Sequence, residues 1–269
     1  MKCSFSSIVR TGPERMQLSG RIGVPMRIIL LLLTAPLVQA ADNPSPILFN
    51  NVTQQTGIRF VHSDGSSGRR YIVESVAAGV ATFDYNNDGR IDLFFLNGTP
   101  LPGAPATTTP PRNALYRNDG NWKFTEVTQE VGLTTAAYQL GVCVGDYNND
   151  GHPDLYLNNY GPNLLYRNNG DGTFTDVTAS AGVGNGDRVG AGTCFLDIDA
   201  DGDLDLFAAN YCDFSIAKHQ GRSVNGQPAY AGPMLYGPVP STLFRNNGDG
   251  TFTDISSASG IAAIKGTGM

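Results

Sequence analysis

The sequence predicts an all-β protein of repeated four-stranded units, arranged as a β-propeller or a related β array. A nine-residue acidic motif occurs three times, and its copies begin 62 and then 51 residues apart. Short runs with strand composition flank every copy, and a hairpin-like motif follows each one. Four strands at a period of this length are typical of propeller blades, whereas a helical solenoid would need amphipathic helices.

The acidic motif has oxygen-bearing side chains at positions 1, 3, 5 and 9 and glycine at position 6. Its copies are loop 1 (residues 84–92), loop 2 (146–154) and loop 3 (197–205). Glycine permits the sharp turn that brings the carboxylates around one centre, and position 7 can offer its backbone carbonyl. Such oxygens suit calcium, whereas zinc and copper favour His and Cys, which the loops lack as a set.

The alternative interpretation of each loop is an Asx-type turn without metal, because Asp, Asn and Gly are ordinary turn residues. Three copies with one spacing favour calcium. The sequence therefore predicts about three Ca²⁺ sites. Their predicted ligand residues, including those at position 7, are Asp84, Asn86, Asp88, Arg90, Asp92, Asp146, Asn148, Asp150, His152, Asp154, Asp197, Asp199, Asp201, Asp203 and Asp205.

The loops differ from EF-hand loops, which need a bidentate Glu at position 12 and a helix on each side. Position 12 is instead Phe95, Leu157 or Ala208. The flanking runs lack helical periodicity and have strand composition. We therefore expect each cation to lie in a loop that joins two strands.

The hairpin-like motif covers residues 113–128, 163–178 and 241–256. In each copy an apolar strand, a turn rich in Asn and Gly, and a second strand with Phe-Thr predict a β-hairpin. Each unit therefore contains four strands: one before the acidic loop, one after it, and two in the hairpin.

These assignments divide the chain into a leader and a repeat domain. We expect residues 1–40 to be a signal peptide and 41–269 a partial propeller. The predicted blades span approximately residues 74–133, 134–183 and 184–261, and residues 262–269 begin a further blade.

The loop motif and the following Leu-Tyr-Arg-Asn-Asn-Gly-Asp-Gly-Thr-Phe-Thr-Asp-Val-Thr resemble the FG-GAP/VCBS repeat, the blade of integrin α-subunit heads. Residues 73–81 and the tract ending at 209–211 resemble, more narrowly, bacterial secreted proteins related to cartilage acidic protein. Full-length members of that group often end in an ASPIC/UnbV domain. The resemblance covers about residue 47 to the end and implies a calcium-stabilised propeller, seven-bladed when complete, with metal ligands in the three loops.

Three blades cannot close a propeller, which needs at least four. Residues 49–53 match the strand that ends each unit, so we expect an outer strand of a blade completed from elsewhere. Residues 265–269 align with 138–142, the strand before loop 2. These partial strands predict an incomplete ring and an N-terminal fragment of a longer protein. The alternative is an open array with unpaired edges that invite aggregation.

The leader has the features of a secretory signal peptide. Arg27 precedes an apolar run at residues 28–38, and small residues follow at Val38 and Ala40. The run is too short to span a bilayer. We therefore expect a secreted, periplasmic or extracellular protein whose mature chain has no transmembrane segment, with an uncleaved anchor as the alternative.

The chain is acidic, with a formal net charge of −6. Eleven of its 24 Asp and Glu residues lie in the three loops, so the acidity indicates metal sites more than a partner-binding face. No basic stripe is present, which argues against nucleic acid as a partner.

Export would permit a disulfide, but the sequence names no cysteine pair. Cys143 and Cys194 occupy the same repeat position, three residues before a loop, and equivalent positions in successive blades are not expected to reach bonding distance. We expect both to be small buried side chains of inner strands. Cys212 has no partner that the sequence identifies.

Two connections are long: residues 97–112 and residues 211–240. Long loops on a rigid scaffold commonly carry binding, and exposed aromatic side chains would suit a sugar or a protein surface. The alternative is that these loops are spacers or cover the mouth of the ring. The aromatic residues of the second connection are Tyr211, Phe214, Tyr230 and Tyr236.

Support for catalysis is thin. The histidines His62, His152 and His219 are scattered, and no nucleophile elbow or zinc-protease motif occurs. No catalytic residue is predicted. The sequence favours a secreted, non-enzymatic calcium-binding module for adhesion or interaction, whose partner is a protein or glycan surface. The alternative is an extracellular polysaccharide-active hydrolase or lyase with structural calcium.

Overall fold

The computed structural model describes residues 48–268. The predicted signal peptide, residues 1–40, lies outside the described residues. The chain divides into two units, Met1–Phe49 and Asn50–Met269. Only residues 48 and 49 of the first unit are described, and they carry no helix or strand. The second unit is described as far as residue 268.

Sheet 1 contains the first four strands in chain order, all antiparallel. They are β1 (Val80–Phe83), β2 (Asp92–Phe95), β3 (Ala114–Gly120) and β4 (Lys123–Glu126). Loop 1 joins β1 to β2, and the hairpin β3–β4 follows in the predicted place. Up-and-down connection of neighbouring strands brings the acidic loop and the hairpin turn to one edge of the sheet.

Sheet 2 repeats this arrangement around loop 2. Its strands are β5 (Tyr138–Gly145), β6 (Asp154–Tyr160), β7 (Leu164–Asn168) and β8 (Phe174–Asp176). Each strand pairs antiparallel with the next one along the chain.

Sheet 3 begins with β9 (Gly190–Leu196) and β10 (Asp205–Asn210), which loop 3 joins. The chain then leaves this sheet for its long connection. That connection contains a separate hairpin, β11 (Arg222–Val224) with β12 (Gln227–Ala229), and the short strand β13 (Val239–Pro240).

The chain returns to sheet 3 as β14 (Thr242–Asn246) and β15 (Phe252–Asp254), which gives the strand order β9-β10-β14-β15. The last strand, β16 (Lys265–Gly266), lies in the segment predicted to begin a further blade and pairs with β13. The all-β class is thus confirmed, and three four-stranded antiparallel sheets carry the loops. Residues 48–268 form no closed barrel or ring.

The helices are short. Two α-helical turns are α1 (Thr53–Thr56) and α2 (Thr178–Ala181), and both end at a glycine in the left-handed conformation. The 3₁₀ turns are Ile72–Ser75, Ile216–Lys218, Pro233–Leu235 and Ile261–Ala263. Across residues 48–268, no helix is both long and apolar enough to cross a membrane.

The predicted outer strand at residues 49–53 is wrong. Residues 49–52 have no regular structure, and α1 begins at Thr53. The sequence match is nevertheless meaningful, because α1 and its Gly57 correspond to α2 and Gly182, which follow β8. A strand needs a hydrogen-bonded neighbour; Phe174 has one in Asn168, whereas no described strand pairs with residues 49–52.

Two hydrophobic clusters join the sheets in sequence. The first contains Phe94 and Leu115 of sheet 1 with Leu155 and Leu157 of sheet 2, all fully buried. The second joins sheets 2 and 3 through residues such as Tyr156, Leu165, Leu206 and Phe244. Each interface buries inward-facing side chains of alternating strand positions, and this burial stabilises the stack.

A third cluster corrects the expectation for the aromatic residues of the long connection. Tyr211, Phe214 and Tyr236 are buried, and only Tyr230 is partly exposed. They pack against residues 71–77, and the Phe214 ring centroid lies 5.1 Å from that of Tyr236. These three rings are therefore core residues that fix the connection, because apolar segments that are distant in the sequence meet there.

The expectation for cysteine is also partly wrong. The three described cysteines are free thiols, and Cys194 is exposed whereas Cys143 is partly buried and Cys212 is buried. Cys143 lies 3.8 Å from the Thr193 hydroxyl of sheet 3. No described sheet covers the equivalent face of sheet 3, so the same repeat position is open there.

Candidate metal centres

The three acidic loops occupy equivalent places in their sheets, between the first and second strands. Their backbones share two left-handed residues. Position 4 has φ of 55° at Asn87, 56° at Asn149 and 60° at Ala200, and the glycine at position 6 has φ between 82° and 93° in every loop. Asn and Gly tolerate this region, whereas Ala does so only with strain. These two reversals fold each loop around its position-1 carboxylate.

The carboxylate at position 1 receives backbone amides from within its own loop. Asp84 accepts from the amides of Asp88 at 3.0 Å and Gly89 at 2.7 Å. Asp146 repeats both contacts at 3.0 and 2.8 Å. Asp197 accepts instead from the amides at positions 4 and 6, at 2.7 and 3.1 Å. The position-5 carboxylate accepts the position-7 amide at 2.9 Å in all three loops.

The carboxylate at position 9 is the buried floor of each loop. Asp92, Asp154 and Asp205 are at most 1% exposed. One oxygen of Asp92 accepts the amide of Tyr85 at 3.1 Å, and the other accepts the amide of Asn118 in the hairpin at 2.6 Å. The same pair of contacts measures 3.1 and 2.7 Å in loop 2 and 2.9 and 2.8 Å in loop 3.

The electrostatics of the loops are unfavourable for carboxylates without a cation. Burial raises the pKa of Asp92, and burial with repulsion from Asp150 and Asp146 raises the pKa of Asp154 to about 7. Desolvation and repulsion from Asp201, Asp205 and Asp197 raise the pKa of Asp199. Backbone amides offset only part of this penalty in loops 1 and 2. A divalent cation among these oxygens would favour their ionised forms.

In loops 1 and 2, position 3 supplies an acceptor that has no partner among residues 48–268. The side-chain carbonyl oxygens of Asn86 and Asn148 are buried and accept no hydrogen bond. Their amide nitrogens donate to the position-5 carboxylates of the same loops, at 3.2 and 2.8 Å. That orientation leaves the carbonyl oxygen free in both loops, so a hard cation would supply the interaction that it lacks.

Loop 3 has a carboxylate at position 3 instead of an amide. Carboxylate oxygens of Asp197, Asp199 and Asp205 lie within 4.8 Å of one another. Like charges gathered this closely repel one another unless a cation lies among them. The oxygen donors of all three loops therefore fit calcium, and zinc or copper would be poorly matched.

Position 7 was predicted to contribute a backbone carbonyl, and its side chains have other contacts. Arg90 pairs with Asp88 at 3.2 Å and donates to the carbonyl of Asn118 at 2.9 Å. The side chains of His152 and Asp203 meet residues of the preceding loop. Among the described residues, the structure brings three acidic side chains within mutual ligand distance in loop 3, and the position-7 side chains contact their surroundings in all three loops.

Two sets of residues that support the loops were not predicted. Asn118, Asn168 and Asn246 hold the buried position-9 carboxylates, and Asn87 and Asn149 reach a neighbouring loop. The first set could have been found from the Arg-Asn pair that recurs in every hairpin motif. The second could have been found from the Asn shared by loops 1 and 2 at position 4.

Residues 84–157 and 146–208 match the FG-GAP-like repeat family. Each match begins at position 1 of one loop and continues into the strand after the next loop. FG-GAP-like repeats are therefore detected within residues 84–208, which confirms that level of the resemblance. The comparison with curated proteins found no match to this chain.

Among solved structures, the chain is similar to a lectin from Agrocybe aegerita, described as recognising non-reducing terminal N-acetylglucosamine. The identity is 18%, and the TM-score is 0.30. The alignment covers 66% of this chain and 51% of the lectin, so the chain spans about half the length of that protein.

Proposed function

We propose that the three loops bind calcium and that the chain is part of a secreted propeller, acting as a non-enzymatic binding or adhesion module. The observation that carries the calcium assignment is the pair of buried, unpartnered carbonyl oxygens of Asn86 and Asn148. They lie at one ligand position in two separate repeats. In loop 3 the position-3 residue is Asp199, and it belongs to the group of three close carboxylates. This supports a ligand role for position 3 in the third repeat as well.

Calcium would bind the loops as a structural ion. The position-1, position-3, position-5 and position-9 side chains would hold it, with the position-7 carbonyl. The ion would neutralise the negative charge of the loop carboxylates, which backbone amides already hold in place. Calcium has no redox chemistry to supply at these sites. The ion would thereby tie the first two strands of each sheet to the hairpin that follows.

The propeller arrangement is supported by repeated contacts between sheets. Tyr85 of loop 1 lies over Phe174 of sheet 2, with ring centroids 6.3 Å apart. Tyr147 of loop 2 lies over Phe252 of sheet 3 at 5.6 Å. The same residue positions thus meet at both interfaces, and repetition of one packing step is how blades are arranged around an axis.

A binding role is supported by the outer surface of the long connection. Its buried aromatic residues anchor it, whereas Val224, Tyr230, Met234 and Leu235 are at least 40% exposed. Exposed apolar side chains on an anchored loop are typical of a surface that contacts a protein or a glycan. We place the partner-binding surface on these residues.

The absence of an enzymatic role is part of the proposal. The histidines are scattered in the sequence, and His219 packs edge-on against Tyr71 with ring centroids 4.7 Å apart. The best-clustered carboxylates belong to the loops, where ionised groups bound to a cation cannot act as a general acid.

The test is to express the full chain and measure calcium uptake, glycan-array binding and release of reducing sugar ends in parallel. We expect about three bound calcium ions, partner binding that chelator abolishes, and no turnover. The double variant Met234→Ser/Leu235→Ser should lose partner binding and keep its calcium. Its matched control is Val61→Ser, an exposed apolar residue outside the three loops and the long connection.

Failure to take up calcium would contradict the metal assignment. Release of reducing ends from a polysaccharide would contradict the non-enzymatic role and favour a hydrolase or lyase. Fusion of residues 1–40 to a reporter enzyme would test export.

A further inference from the structure

Neighbouring loops are joined by hydrogen bonds that the individual metal sites do not require. Asn87 at position 4 of loop 1 donates its side-chain amide to the carbonyl of Gly151 in loop 2 at 3.2 Å. The same nitrogen lies 3.0 Å from Nδ1 of His152. Loop 1 therefore contacts positions 6 and 7 of loop 2, and position 7 is the predicted source of a carbonyl ligand.

The contact recurs one repeat further along the chain. Asn149 at position 4 of loop 2 donates to the carbonyl of Gly202 at 3.3 Å and to a carboxylate oxygen of Asp203 at 2.7 Å. Loop 3 has Ala200 at the equivalent position, which has no side-chain amide to donate. Two of the three loops thus extend the same side chain to the same positions of the next loop.

A second bridge runs in the opposite direction, from the hairpins. The backbone amide of Asn168 donates to the buried carboxylate of Asp154 in loop 2 at 2.7 Å. Its side-chain amide donates to the carbonyl of Tyr85 in loop 1 at 2.8 Å. One buried residue therefore connects position 9 of loop 2 to the backbone between two ligand positions of loop 1.

Asn246 makes the equivalent bridge between loops 2 and 3. Its backbone amide donates to Asp205 at 2.8 Å, and its side chain donates to the carbonyl of Tyr147 at 2.8 Å. Each pair of neighbouring loops is consequently joined by two independent bridges, one exposed and one buried.

We propose that neighbouring loops bind calcium with positive cooperativity and that Asn87 and Asn149 are the positioning residues that couple them. This inference rests on the calcium binding proposed above. A cation in loop 2 fixes the backbone at positions 6 and 7, which Asn87 of loop 1 contacts directly. It also fixes the carboxylate at position 9, which Asn168 links to loop 1. The neighbouring loop is thereby partly ordered before its own ion arrives, so the second ion binds more tightly.

Electrostatic repulsion between bound calcium ions opposes this positive cooperativity only weakly. Loop 2 contains three carboxylates and loop 3 contains five, so each remains negative after binding one divalent ion. The carboxylates around each bound ion offset its charge. The exposed edge of the loops lies in water, which screens the repulsion between ions in neighbouring loops.

The experiment titrates calcium chloride into the full chain by isothermal calorimetry and compares Hill coefficients. Asn149→Gly and Asn87→Gly remove the donor and keep a residue suited to positive φ. The matched control is Asn225→Gly, because Asn225 has φ of 52° in the turn between β11 and β12, outside the loops. Asn149→Asp is a second variant; it tolerates the same backbone and places a carboxylate against Asp203.

We expect a Hill coefficient well above 1 for the unaltered chain. Asn149→Gly and Asn149→Asp should lower it towards 1 and raise the half-saturating calcium concentration by about fivefold or more. Asn225→Gly should match the unaltered chain. The thermal transition of each variant in saturating calcium shows whether it folds.

Other outcomes would distinguish a failure of the proposed coupling from a failure of the proposed calcium binding. Three sites that fill with a Hill coefficient of about 1 would overturn the coupling and leave calcium binding intact. A cooperative isotherm that neither Asn149 variant changes would overturn the role of Asn149, as would an equal change in Asn225→Gly. No calcium binding in the unaltered chain would overturn the proposed function itself.

Discussion

The Tyr230 hydroxyl donates a hydrogen bond to the Glu74 carboxylate at 3.0 Å, and this bond joins residues 156 positions apart. Glu74 is buried and also accepts the amide and hydroxyl of Ser67, at 3.1 and 2.9 Å. The long connection of sheet 3 is therefore held to the segment that precedes sheet 1. This contact fixes the base of the proposed partner-binding surface.

We expect Tyr230→Phe to lower the free energy of unfolding by about 1–3 kcal/mol, because it removes a hydrogen bond to a buried carboxylate. Denaturation by urea would measure the loss. A double-mutant cycle with Glu74→Ala, which removes the acceptor, isolates the pair, and strictly additive effects of the two substitutions would contradict the coupling.

Calcium should raise the melting temperature. An ion that binds the folded chain and not the unfolded one adds stability by mass action, about 2.7 kcal/mol at a hundredfold excess over the dissociation constant. Sites in extracellular modules often have constants of about 10⁻⁴–10⁻³ M, so millimolar calcium is the concentration to compare with EDTA. Identical thermal transitions in the two buffers would argue against structural calcium.

Ala200→Gly should stabilise the chain by roughly 0.5–1 kcal/mol. Ala200 has φ of 60°, a region that costs an L-residue about 1–2 kcal/mol and glycine almost nothing. Part of that gain is lost because glycine makes the unfolded chain more flexible. Differential scanning calorimetry without calcium would measure the effect.

The control for this substitution is Ala179→Gly. Ala179 is exposed in α2, where glycine should instead destabilise by about 1 kcal/mol. Equal effects of the two substitutions would show that strain at Ala200 is not relieved.

Tyr147→Ala should cost much more stability than Ile198→Ala, although both residues occupy position 2 of a loop. Tyr147 is 3% exposed and packs on Phe252, whereas Ile198 is 39% exposed. Truncation of a buried aromatic residue typically costs about 3–5 kcal/mol, and loss of a half-exposed side chain costs about 1 kcal/mol or less. Chemical denaturation of both variants would test the difference, and similar losses would contradict the packing between sheets 2 and 3.

The sequence by itself determined the elements whose causes are local. The period of the acidic motif, the hairpin turns and the glycine at position 6 predict the three four-stranded sheets, because turn chemistry and strand alternation act over a few residues. The same spacing gathers each set of predicted ligands, such as Asp197, Asp199 and Asp205, at one loop.

Only the tertiary structure decided which equivalent residues are buried and which loops touch. Cys143 and Cys194 share a repeat position, yet one packs against the next sheet and the other is exposed. Tyr211, Phe214 and Tyr236 were expected at a surface and lie in a core, since a distant segment covers them. The bridges from Asn87 and Asn149 likewise depend on how adjacent sheets stack. Such long-range packing is set by the fit of whole surfaces, which repeat periodicity alone does not describe.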